Sequence, residues 1–203
     1  MPSSPAPARH LYVPGPDFAK RKIPTLKKPG TVWFRIHRSD RPAVQFGIHT
    51  HHRFSHPEST FPVLYLGAEI RTCLWEYFGD DVFGSIPAIA STRWQGCHLS
   101  RIEVPPLKVC ALDQQSTRDA LRVDKASLLA ADLSIPQAWA RAIQQHPEGF
   151  DAIQYTSRFV EQSCLALFGQ PRITAQVREV ALGTLDSLDA AVDWLDERGA
   201  ALV

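Results

Sequence analysis

The chain has 203 residues, 44% of them hydrophobic, and 22 Lys and Arg against 21 Asp and Glu leave a formal net charge of +1. That balance excludes a broad nucleic-acid or anionic-membrane surface, and no apolar run approaches the roughly 20 residues a membrane-spanning helix needs. The four cysteines, Cys73, Cys97, Cys110 and Cys164, form no Cys-x-x-Cys pair, which excludes a zinc ribbon and suits free thiols in a reducing compartment.

The opening Met-Pro-Ser-Ser-Pro-Ala-Pro lacks the basic start and apolar stretch of a secretory signal, so a cytoplasmic protein is expected. Residues 1–30 read as a Pro-rich N-terminal extension, with Pro2, Pro5, Pro7, Pro14, Pro16, Pro24 and Pro29 biasing the backbone away from helix. Its basic clusters, Lys20-Arg21-Lys22 and Lys27-Lys28, read as a solvated tail. A β-branched and aromatic run from Thr31 to His37 predicts the first strand. Phe61 to Leu66 predicts a second, apolar enough to be buried on both faces.

From Gly67 to Phe78 the period becomes helical, with Ile70, Cys73, Leu74, Tyr77 and Phe78 on one stripe. Leu99 to Leu112 alternates as a strand interrupted by Pro105-Pro106 at an edge or bend. Ser134-Ile135-Pro136 opens a helix that ends at Gly149, and two short strands are predicted at 152–156 and 164–168. Leu185 to Arg198 reads as an acidic amphipathic helix.

Several groups on this frame carry potential chemistry. Glu76 points about 140° away from the apolar stripe of its helix, yet Trp75, Tyr77 and Phe78 surround it in sequence. A carboxylate in apolar company is costly without a partner. Arg35 lies inside an otherwise apolar strand, and Arg53 lies in a loop where an anion clamp is possible. His49, His51, His52 and His56, with His37 upstream, invite a metal hypothesis, but adjacent His51 and His52 face opposite ways when extended and no His-Glu-x-x-His pattern is present. No metal site is assigned. Strand 152–156 runs out into Thr156-Ser157-Arg158, the kind of strand end where ligand groups collect. Ser157 has no nucleophile elbow around it, and no glycine-rich phosphate loop occurs anywhere in the chain.

Taken in order, Trp33-Phe34-Arg35-Ile36, Arg53-Phe54, Val63-Leu64-Tyr65-Leu66, Cys73-Leu74-Trp75-Glu76 and Asp151 to Arg158 resemble the RES domain, a family typically found as toxins of bacterial toxin–antitoxin pairs. The resemblance implies an α+β fold similar to ADP-ribosyltransferases, a split β-sheet core with flanking helices. It places a catalytic domain at 31–180, and the C-terminal amphipathic helix, assigned to 181–203, extends beyond a minimal RES domain. It also implies NAD⁺ as substrate, with no true cofactor, and a separately encoded antitoxin of the Xre-like, helix-turn-helix kind. A second copy of the chain stays open as a partner; membrane and direct nucleic-acid contacts are not expected.

By the same resemblance, Glu76, Arg35 and Tyr65 are the catalytic candidates, and Arg35, Arg53, Tyr65 and Ser157 the NAD-binding ones. Arg35 and Arg53 would grip the diphosphate, Tyr65 would stack on nicotinamide or position Glu76, and Ser157 would bond ribose or diphosphate. The implied activity is cleavage of the nicotinamide–ribose bond by hydrolysis or phosphorolysis. The alternatives are transfer of ADP-ribose to a host protein and, outside catalysis, a non-catalytic NAD-binding or interaction module.

Overall fold

The alternating apolar runs do become strands, and prolines decide where those strands break. The computed structural model describes residues 13–203. In chain order its elements are β1 (Leu26–Lys28), β2 (Thr31–Arg38), β3 (Val63–Gly67), α1 (Ile70–Val82), β4 (Ala88–Ile89), α2 (Ser91–Gln95), β5 (Cys97–Val104) and β6 (Leu107–Ala111). There follow α3 (Gln115–Leu121), α4 (Lys125–Leu129), α5 (Ser134–Gln144), β7 (Ala152–Thr156), β8 (Ser163–Phe168), α6 (Pro171–Thr174), β9 (Arg178–Thr184), α7 (Asp189–Glu197) and β10 (Ala201–Leu202). The protein is a mixed α+β fold: an eight-stranded sheet in the order β1-β6-β7-β8-β3-β2-β5-β9, with helices packed on it. Only β6 and β7 run parallel within it.

Two features of the register shape this sheet. First, β2 pairs with β5 while β1 pairs with β6, so one bent ribbon serves both ends of the sheet. The bends fall at Pro29-Gly30 and Pro105-Pro106, where missing donors make continued pairing impossible. The sheet therefore curls around an interior of Trp33, Leu64, Leu66, Ile102, Leu107 and Leu167, all 3% exposed or less. Second, β2 and β3 meet at a single pair, Phe34 opposite Gly67. Beyond that point the sheet is split.

Two outer clusters flank the split. One packs α5, through Trp139, Ala140 and Ile143, against β7 and β8. The other packs α1, α2 and α7 through Leu74, Phe78, Trp94 and Trp194. All four cysteines are free and buried, acting as small core groups. Among the described residues no helix is long and apolar enough to cross a membrane.

The extension boundary drawn at residue 30 changes in this frame. Pro2, Pro5 and Pro7 lie outside the described residues. Phe18 and Ile23, at 4% and 3% exposure, join the α5 cluster, and Lys27-Lys28 belongs to a paired strand. At the other end, residues up to Thr184 continue in edge strand β9, and the acidic helix starts at Asp189 after a 3-10 turn at Leu185–Ser187. The final residues add β10, which pairs with β4. The Leu99–Leu112 segment is two strands with different neighbours, not one interrupted strand.

Candidate active site

Because β2 and β3 part after a single pair, their facing edges and the helix that follows β3 enclose a cleft of about 930 Å³. Its charged lining is uneven. Five arginines (Arg35, Arg38, Arg41, Arg53, Arg158) and four histidines (His37, His49, His51, His52) face one carboxylate, Glu76. Five of the chain's 22 Lys and Arg thus share one cleft with a single acidic group.

Glu76 is carried by α1, whose stripe of Cys73, Leu74, Phe78 and Val82 is buried. The opposite side is exposed, and the cleft opens onto it. Ser157, 3% exposed, lies just past the end of β7 and donates its hydroxyl to Glu76 Oε1 at 2.5 Å. The Phe159 backbone N–H in turn donates to Ser157 Oγ at 3.2 Å. This fixes which way the serine's one proton points. Gly79 makes the approach possible: a Cβ there would lie 2.6 Å from the Phe159 ring, so only glycine lets the 157–159 segment sit against α1.

Arg35, Arg53 and Tyr65 also line the cleft, and each has a polar atom bonded to the backbone. Arg35, just past the Phe34–Gly67 pair, donates through Nη1 to the Ala43 carbonyl. Arg53 Nη1 donates to the Leu128 and Ala130 carbonyls at 2.7 and 2.9 Å, tying down the end of α4. The Tyr65 hydroxyl accepts the Phe54 N–H at 2.9 Å, which ties the histidine-rich loop to β3, and burial pushes its pKa up. Ser157, expected to bond ribose or diphosphate, has its hydroxyl engaged by the Glu76 carboxylate.

The histidine loop forms part of the cleft wall. The rings of His49, His51 and His52 lie 4.5–5.8 Å apart, and His52 also meets the Tyr65 ring at 5.1 Å. Burial, aided by His51, His49 and Arg35, lowers the His52 pKa to about 4, so this imidazole is neutral at pH 7. Among the described residues no group of three His, Cys, Asp or Glu side chains is placed to hold a metal ion.

The sequence assigns no role to several lining residues, among them Arg38, Arg41, Arg158, Tyr155 and Cys164, and shows His37 only beside the histidine cluster. His37 shares the alternation of Arg35 along β2; its ring contacts the Arg38 and Arg41 carbonyls at 3.1 and 3.0 Å and Ser100 Oγ at 3.0 Å. Period-two counting from Arg35 reaches it. Arg158 follows Ser157 directly. Tyr155 and Cys164 meet across the β7–β8 pair. Burial drives the Tyr155 and Cys164 pKa values up, and that of Cys73 to about 12. Both cleft thiols therefore stay protonated at neutral pH and are poor nucleophiles.

The RES domain family model matches residues 32–191 of the chain. Comparison with curated proteins finds no match. Among solved structures, the chain is similar to one in the crystal structure of the M. tuberculosis MbcT–MbcA toxin–antitoxin complex, with a TM-score of 0.63 and 19% identity, over 86% of this chain and 92% of that one. That likeness is one of fold.

Proposed function

From the premise that this chain belongs to the RES domain family, we propose that it is the toxin of a bacterial toxin–antitoxin pair and consumes NAD⁺ by breaking the nicotinamide–ribose bond. The observation that supports this most strongly is the lining of the cleft, one carboxylate facing five arginines. A dinucleotide has the matching chemistry: a diphosphate that needs cations, and a ribose that becomes positive as its base departs.

In such a reaction the C1′–N bond breaks and its electron pair leaves with neutral nicotinamide. An acceptor oxygen then bonds to C1′: water, giving ADP-ribose and a proton, or phosphate. Glu76 is a catalytic residue in this scheme, its fixed negative charge stabilising the oxocarbenium-like ribose. Ser157 is a positioning residue, because its 2.5 Å bond to Oε1 orients the carboxylate and leaves Oε2 to face the substrate. Arg35 and Arg53 still present nitrogens beyond the Nη1 atoms bound to carbonyls, and those nitrogens supply the anion's donors. Tyr65 holds the loop wall in place.

Transfer of ADP-ribose to a host protein uses the same groups and differs in the acceptor alone. The partner is an antitoxin that blocks the cleft, and the place of action is the cytoplasm, where NAD⁺ is available. Expression in a bacterial host should arrest growth and deplete NAD⁺, with relief by Glu76→Ala or by the co-expressed neighbouring gene. Normal growth and steady NAD⁺ at high wild-type protein levels would overturn the toxin reading.

A further inference from the structure

Arg158 differs from the two arginines already assigned to the diphosphate. Arg35 and Arg53 are anchored on backbone carbonyls, whereas Arg158 is bound to Asp80, whose side chain is 78% exposed. An ion pair so open to water is weak and easily exchanged. Arg158 lines the cleft, and its charge is felt by Arg53, which in turn feels Glu76. Two guanidinium groups brought together at one opening repel unless an anion lies between them.

The Arg158 guanidinium lies 4.3 Å from the centre of the Phe159 ring. Phe83 and Trp75 lie nearly parallel to that ring with centroids at 5.6 and 6.1 Å, so the ring sits in an aromatic group. The ring lets the guanidinium keep its stacking while exchanging one anion for another. Arg158 is also the neighbour of Ser157, which orients Glu76.

We propose that Arg158 is a substrate-binding residue which leaves Asp80 to hold, together with Arg53, the diphosphate of the dinucleotide. This rests on the NAD⁺ reading above. Residues 157 and 158 then form one unit: the first orients the carboxylate and the second engages the phosphate. Asp80 is a competitor for Arg158, and removing its charge strengthens substrate binding.

The test compares wild type, Arg158→Gln and Asp80→Asn by nicotinamide release from NAD⁺ and from nicotinamide riboside, which has no phosphate. Arg158→Gln should raise KM for NAD⁺ about tenfold, the loss of one charge-assisted bidentate contact. It should cost nicotinamide riboside much less. Asp80→Asn should lower KM for NAD⁺ about twofold to threefold, the reverse direction, which a merely structural contact would not produce. Equal losses on both substrates, an unchanged KM in Arg158→Gln, or a raised KM in Asp80→Asn would each overturn the proposal. If wild type releases no nicotinamide, the NAD⁺ reading fails separately. Calorimetry with ADP-ribose then decides: binding weakened in Arg158→Gln supports the assignment, and equal or absent binding in both proteins refutes it.

Discussion

The two walls of the cleft are built on opposite principles. The wall formed by β2, β3 and the loop between them carries most of the cations, and most of its polar side chains are pinned by backbone: Arg35 on Ala43, Arg53 on Leu128 and Ala130, Tyr65 on Phe54, His37 on Arg38 and Arg41, with Arg38 paired instead to the exposed Asp40. The wall formed by α1 and the 157–159 segment carries the one lining carboxylate, held by a side-chain hydroxyl, and an arginine paired with an exposed acid. One wall is cationic architecture. The other is adjustable chemistry. Substitutions on the first should therefore cost stability as well as substrate binding, and those on the second activity with little loss of stability.

The largest effect should come from Glu76→Gln, which keeps the shape and removes the charge. Nicotinamide release should fall about a hundredfold or more, as for other preorganised electrostatic groups, while the melting temperature stays nearly constant. A large stability change with modest loss of rate would break the contrast.

Next comes Ser157→Ala. It leaves Glu76 charged but unaligned, and kcat should fall about tenfold with little change in KM, since small misplacements of a reacting group are costly. A selective rise in KM would instead show that Ser157 touches the substrate.

On the opposite wall, Arg53→Met removes both donors from the end of α4, and chemical denaturation should show a loss of about 1–3 kcal/mol. If stability is unchanged, the carbonyls there are satisfied otherwise and the wall is not architectural.

The smallest effect concerns pH. The His52 pKa is lowered from 6.5 to about 4, so an unfolded chain binds this proton first as pH falls. Stability attributable to the neutral ring is complete above pH 6.5 and is lost as pH drops from there towards 4. Denaturation midpoints measured between pH 7 and 5 should decline less steeply in His52→Gln than in wild type. Identical slopes would show that the ring is not desolvated.

Periodicity exposed the strands bearing Arg35 and Tyr65 and the helix bearing Glu76, because each buries a continuous stripe. It did not expose β9, where five consecutive residues from Arg178 to Leu182 are exposed and no burial pattern marks the strand. Nor did it expose α3 and α4, of seven and five residues, each with few buried positions. β1 was hidden because its three residues pair at the sheet's margin beside a proline.

In the site, residue types were legible and their partners were not. Glu76 stood out as a carboxylate among aromatics, but its solvent-facing side was also that of an ordinary surface glutamate. What distinguishes it is Ser157, 81 positions away, and that contact depends on Gly79 admitting the Phe159 ring. The Arg53 bonds to the end of α4 span 75 and 77 positions and leave no local trace in sequence.

The most direct test of the account is nicotinamide release from NAD⁺ by the purified chain, followed by chromatography beside Glu76→Gln. Wild type should release nicotinamide rapidly, and the variant at least about a hundredfold less. Equal release by the two proteins, or none above background from wild type, would contradict it.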